Sequence, residues 1–141
     1  MAETAPYILI VDDQESDRRL LELAFQRASG LRIAALLDNG EETIAYLDGI
    51  GKFVDRAKYP LPSLLILNFK MPRMSGLDVL AWMRERSFPD LKVVILSGSL
   101  DAASRELALN MGAHLYWEKP MEFSGWLQIA KSVEKYLQGG N

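Results

Sequence analysis

The chain of 141 residues contains no cysteine, which excludes disulfide staples and thiolate metal sites. It has one histidine, His114, at the start of a late strand-like segment, where a surface role fits better than catalysis. It lacks a basic excess: 16 lysines and arginines against 19 acids give a net charge of −3. That balance, with no clustered basic stripe, argues against a general nucleic-acid binder. No apolar run approaches the ~20 residues of a membrane span. Residues 1–6 place no basic region ahead of a long apolar stretch, so they do not read as a secretory signal. The expected location is the cytoplasm. Internal repeats, low-complexity tracts and signs of a second domain are also missing. What is present is an ordinary globular composition, 49% hydrophobic and 25% charged. A chain of this length buries most of its apolar surface in one core without covalent help.

Strand-like and helix-like patterns alternate along the chain. Residues 7–12, 32–37, 64–68, 92–97 and 114–118 are short apolar runs, as expected of strands covered on both faces. Between them, apolar side chains recur at helical spacing. Leu20, Leu21, Ala24, Phe25 and Ala28 mark a helix over 15–28, with Gly30 as its stop. Ile44, Ala45 and Leu47 mark a short helix over 41–50, and Leu77, Leu80 and Ala81 one that follows Gly76. The spacing predicts further helices over 101–111, with Asp101 as N-cap or first-turn acid, and over 122–137. Residues 51–63 hold Pro60 and Pro62 and read as a loop. The domain is expected to span 7–138, between a disordered tail at 1–6 and a frayed one at 139–141.

Regular βα alternation predicts a parallel sheet with helices on both faces and right-handed crossovers. In such a sheet the site lies beyond the carboxyl ends of the strands. The polar residues that stop the apolar runs all fall there: Asp12 and Asp13 after the first, Asn68 on the third, Ser97 on the fourth, Lys119 and Pro120 after the fifth. Two adjacent carboxylates at a strand end repel each other. A hard divalent cation relieves that cost, and oxygen ligands suit Mg2+. The same acids also serve as helix caps, a common use of Asp after a strand.

These residues, with the turn Met71-Pro72-Arg73-Met74-Ser75-Gly76, resemble a response-regulator receiver domain of two-component signalling over nearly the whole chain. The long loop after the second helix resembles that of the single-domain regulators paired with phytochrome-type kinases. The resemblance implies a flavodoxin-like (βα)5 doubly wound sheet in strand order 2-1-3-4-5. It implies Mg2+ held by Asp12, Asp13, residue 68 and the backbone carbonyl of Lys70. Ser97 matches the switch hydroxyl, Tyr116 the rotating aromatic, and Lys119 the lysine that pairs with the acids. The Lys119–Pro120 bond is expected to be cis, since such bonds occur in tight, functionally placed turns. One position departs from the family: Asn68 stands where the phosphoacceptor aspartate belongs. A neutral amide is a weaker ligand for a hard cation, and it is not a nucleophile that forms an acyl phosphate.

The expected function is therefore a phosphorylation-coupled switch rather than an enzyme, with phosphate transfer blocked at Asn68. Its expected partners are a sensor histidine kinase or phosphotransfer protein. A second copy is also expected on a face built from the fourth helix, fifth strand and fifth helix. With no room for an effector domain after residue 138, output is expected through protein contacts, without nucleic acid or membrane. The rival within binding modules is a phosphorylation-independent pseudo-receiver. A flavin or nucleotide enzyme on the same fold would need a phosphate-cradling loop after the first strand. Asp12-Asp13-Gln14-Glu15 is acidic and free of glycine, and would repel a phosphate.

Overall fold

The computed structural model describes residues 6–99 and 101–139. The elements run β1 (Tyr7–Val11), α1 (Glu15–Ala28), β2 (Arg32–Leu37), α2 (Gly40–Asp48), β3 (Leu64–Asn68), α3 (Gly76–Arg84), β4 (Lys92–Ser97), α4 (Ala102–Asn110), β5 (Leu115–Glu118) and α5 (Phe123–Leu137). The five strands form one sheet in order β2-β1-β3-β4-β5, every pairing parallel. The alternation predicts the parallel sheet, and this is the doubly wound order that the resemblance implies. Of the expected tails, residues 1–5, 140 and 141 lie outside the described residues. Pro6 is described, and its carbonyl accepts from the Arg32 backbone N–H at 3.1 Å.

Why the strands are apolar throughout follows from what covers them. On one face Leu9, Val11, Leu65, Leu67, Val93 and Ile95 meet Tyr46 and Leu47 of α2, Val79 and Leu80 of α3, and Ala108 of α4. On the other, Ile8, Ile10, Leu64, Ile66, Val94 and Leu96 meet Leu21, Ala24 and Phe25 of α1 and Trp126, Ile129, Ala130 and Val133 of α5. Successive strand residues serve opposite cores because the side-chain period is two. Truncating a fully buried side chain such as Leu65 to alanine costs about 2–5 kcal/mol. That rigid sheet is what holds the strand ends, and the polar residues on them, in fixed positions.

Three local expectations change. First, Ser29, rather than Gly30, terminates α1: its hydroxyl and its backbone N–H both donate to the Phe25 carbonyl, at 2.9 and 3.2 Å. Second, the segment after α2 is more than a loop. It opens with a 3-10 turn at Gly51–Phe53 and builds an aromatic cluster of Tyr46, Phe53 and Tyr59, with ring centroids 5.0 to 6.0 Å apart. The Tyr46 hydroxyl donates to the Pro60 carbonyl at 2.7 Å, and burial pushes its pKa up to about 12. Third, no cis peptide occurs among the described residues, so Lys119–Pro120 is trans. The Lys119 backbone N–H still continues the strand, donating to the Ser97 carbonyl at 2.7 Å. The following turn needs no cis bond to bring Pro120 against α5, where it crowds Gly125: a Cβ there would collide with Pro120 Cβ.

Candidate functional site

Every strand-end residue singled out in the sequence arrives at one end of the sheet. Parallel registry does this: Val11 lies beside Leu67, Asn68 beside Leu96 and Ser97 beside Glu118. Gln14, Asp17, Asn68, Lys70, Ser97 and Lys119 then share the lining of an open cleft of about 450 Å³. Asp13 and Lys70 line an adjoining opening with Met71 and Pro72.

The floor at Asn68 is fixed from behind. Gly76, the first residue of α3, donates its N–H to the Phe69 carbonyl at 2.9 Å. A Cβ on Gly76 would stand 2.7 Å from the Asn68 carbonyl oxygen, so only glycine fits this approach. Between them, Arg73 takes the left-handed backbone (φ 67°), and its guanidinium bonds Glu41 of α2 at 3.1 Å. Ser75 and Asp78 form a reciprocal capping box at the start of α3.

Asn68 is 5% exposed, and its amide nitrogen makes two hydrogen bonds. It donates to Asp13 Oδ1 at 2.9 Å and to the Lys70 carbonyl at 2.8 Å. Both partners accept only, so the amide must turn its nitrogen, not its oxygen, toward them. A few ångströms away the chemistry is ionic. Lys119 Nζ lies 2.9 Å from Asp12 Oδ2 and 2.7 Å from Asp17 Oδ2. All three side chains are largely buried, at 12%, 1% and 18% exposed. The Asp12 contact is an ion pair off the axis of a hydrogen bond, and Oδ2 has no hydrogen-bond partner. Asp12 Oδ1 accepts from the Gln14 N–H at 2.9 Å, so this acid holds the N-cap residue just before α1 instead of capping the helix interior.

The charges follow from this sharing. Burial pushes the Asp12 carboxyl above the usual carboxylate range, against the opposing pull of Lys119, with the negative Asp17 adding to the rise. For Lys119, burial alone would lower the pKa. The pull of the Asp12 and Asp17 carboxylates outweighs it and holds the amine above its ordinary value. One cation thus serves two anions.

Ser97 is 4% exposed, and its Oγ accepts from the Ser99 N–H at 3.3 Å. Tyr116 is buried, packed edge-on against Phe69 at 5.8 Å, and its hydroxyl has no hydrogen-bond partner. His114 is exposed and sits at the opposite end of the sheet, where its Nδ1 accepts from the Val93 N–H at 3.0 Å. Among the described residues Glu118 makes no ion pair. Asp17 was not anticipated from sequence. An acid in the first turn of a helix is ordinary, and nothing local signals that it meets a lysine 102 residues away.

The chain is similar to known proteins over almost its whole length. The family model for the response regulator receiver domain matches residues 8–131. The two-component response regulator ARR9 of Arabidopsis thaliana is 30% identical over 136 residues, which is 87% of this chain and 57% of that protein. Response regulator Rcp1 of Synechocystis is 24% identical, covering 92% of this chain and 86% of that one. The chain spans about half the length of several curated relatives it matches, such as 55% of a Pseudomonas aeruginosa protein described as a putative transcriptional regulator. Among solved structures, the response regulator RPA3017 in red light signalling of R. palustris superposes with a TM-score of 0.85 at 28% identity, covering 93% of this chain and 92% of that one. The phosphorylated cyanobacterial phytochrome response regulator RcpA gives 0.81 at 25%, covering 95% and 94%.

Receiver domains commonly bind Mg2+, and the expected ligands here are the right chemistry, hard oxygens. Their arrangement does not fit a cation as it stands. The Asn68 amide already occupies Asp13 Oδ1 and the Lys70 carbonyl, and presents protons where a cation needs oxygen. The Asp12 oxygen left without a hydrogen bond faces Lys119. Among the described residues no cluster of three or more His, Asp or Glu side chains is placed to hold a metal ion. No helix there is long and apolar enough to cross a membrane.

Proposed function

Because the chain belongs to the response regulator receiver domain family, we propose that it is a two-component signalling module that does not accept a phosphoryl group as it stands. The observation that carries this reading is the side chain of residue 68: a neutral amide with both nitrogen protons engaged at the position where the family keeps its nucleophile. An acyl phosphate forms when a carboxylate oxygen attacks phosphorus and the donor's oxygen departs. The Asn68 amide offers no anionic oxygen for that attack. Its partners on this reading are a sensor histidine kinase or phosphotransfer protein, and its output is a protein contact through α4, β5 and α5, including contact with a second copy. Affinity for Mg2+ is weaker than in an aspartate-bearing version, since one charged ligand is replaced by a neutral one.

A second reading, a phosphorylation-coupled switch once aspartate stands at 68, is favoured by the rest of the pocket. Ser97 and Lys119 line one cleft, Asp12 lies 2.9 Å from Lys119, and Asp13 lines an adjoining opening, a set of residues suited to a cation and to phosphoryl oxygens. The test is intact mass and sedimentation after incubation with acetyl phosphate and Mg2+. The chain is expected to keep its mass. Asn68→Asp is expected to gain one phosphoryl group and change its association state. A phosphoryl mass on the unmodified chain would overturn the first reading. An Asn68→Asp variant that never labels, under conditions where an ordinary receiver does, would leave the pseudo-receiver as the better account.

A further inference from the structure

We infer that the Asn68 amide does the structural work a bound divalent cation would do, so that this chain holds its β1–α1 and β3–α3 loops together without metal. The inference rests on the family reading above but concerns a different property, the metal dependence of the fold. In the sheet, Asp13 and Lys70 belong to neighbouring strand ends, those of β1 and β3. Asp13 Oδ1 and the Lys70 carbonyl are both proton acceptors, and both point at the same spot. Left alone, two partly buried acceptors facing each other are repelled and unsatisfied. A cation satisfies them by accepting both lone pairs. Asn68 Nδ2 satisfies them with its two protons, at 2.9 and 2.8 Å. An NH2 group has just two protons, so both are used.

The amide is also held in place. Asn68 ends a fully buried strand, and Gly76 presses on its backbone from behind, at 2.7 Å from its carbonyl oxygen to an added Cβ. The side chain therefore pays little entropy to keep this geometry. A carboxylate at the same position would reverse the situation. It brings no proton, adds a third acid beside Asp12 and Asp13, and leaves the Lys70 carbonyl facing an anion. Lys119 does not compensate, because Asp12 and Asp17 already hold it. Such a site gains stability from a cation, and this one has the amide in its place.

The test is thermal unfolding of the full chain, Asn68→Asp and Asn68→Ala, each in EDTA and in millimolar Mg2+ at matched ionic strength. Matching the salt separates site binding from screening. The chain is expected to melt at the same temperature in both buffers. Asn68→Asp is expected to melt lower than the chain in EDTA and to recover in Mg2+, because a cation bound only to the folded state stabilises it. Asn68→Ala, which removes the donor but adds no charge, is expected to melt below the chain in EDTA and to gain on Mg2+. A chain that gains from Mg2+ as much as Asn68→Asp overturns the inference. So does an Asn68→Ala variant as stable as the chain in EDTA. Acetyl phosphate labelling of the same samples is read separately by mass. Labelling of the unmodified chain would overturn the reading that Asn68 blocks phosphoryl transfer, without touching the melting result.

Discussion

The two halves of the cleft solve the same problem differently. On the Asn68 side, a neutral amide bridges one carboxylate, that of Asp13, and one neutral carbonyl, that of Lys70. On the Lys119 side, two carboxylates are bridged by one ammonium, leaving a net negative charge in a largely buried place. The bond to the neutral carbonyl is worth about 1 kcal/mol and the bond to the carboxylate about 1.5–3 kcal/mol, with no buried ion pair to assemble. A buried ion cluster is costly to assemble and far more costly to break by removing one partner. The amide half should therefore be modest and robust, and the ionic half brittle and pH-sensitive.

The sharpest way to break that contrast is Lys119→Met. It strands Asp12, which is 1% exposed, beside Asp17. Urea unfolding at neutral pH is expected to register a loss of about 3 kcal/mol. A loss near zero would mean the cluster is solvated and the halves are alike. The pH dependence follows with its sign. Lys119 is held above 10.5 in the folded state, so its contribution is present below 10.5 and lost as the pH rises through the higher folded value. Melting temperature should thus fall more steeply above pH 10.5 in the chain than in Lys119→Met. The Asp12 carboxyl is raised above 3.8. In Lys119→Met, acidification should restore stability as the pH falls toward 3.8, because the folded state binds that proton more tightly.

On the amide side the backbone contact is the weak point. Gly76→Ala forces a Cβ against the Asn68 carbonyl and should cost about 1–3 kcal/mol. It should displace Asn68 while leaving the alkaline transition of Lys119 unchanged. If that transition moves as well, the two halves are coupled. Tyr46→Phe lies outside both, in the aromatic cap. It should cost about 1 kcal/mol by leaving the Pro60 carbonyl without its donor, with no effect on either half. Asp17→Asn has the smallest expected effect on stability, under about 1 kcal/mol, because it loses an ion pair but also removes the repulsion on Asp12. Its signature is the Asp12 titration, read by carboxyl NMR, which should move down.

How much of this was visible in the sequence depends on the range of the physics involved. Strands such as Leu64–Asn68, covered on both faces, are apolar throughout and stop where burial stops, so Asn68, Ser97 and Lys119 stand out at their ends. The parallel sheet followed from regular βα alternation, and its strand order from the family resemblance. The Lys119–Asp17 pair depends on two residues 102 positions apart, each unremarkable where it stands, and no local pattern carries it. The aromatic cap was hidden in the same way. Tyr46, Phe53 and Tyr59 show no period because a turn and a loop separate them, and the prolines drew the reading toward an open loop. The trans Lys119–Pro120 bond corrects an inference from position alone. A functional turn does not require a cis peptide when the preceding N–H keeps its strand partner, as Lys119 does with Ser97.

The central claim, a neutral amide clasped between Asp13 and Lys70, is tested most directly by the side-chain NH2 resonances of Asn68 in a proton–nitrogen correlation spectrum, assigned by their loss in Asn68→Asp. With both protons donated in a buried site, the account predicts slow exchange with solvent and no shift when millimolar Mg2+ is added. Fast exchange, or a shift that saturates with Mg2+, would contradict it.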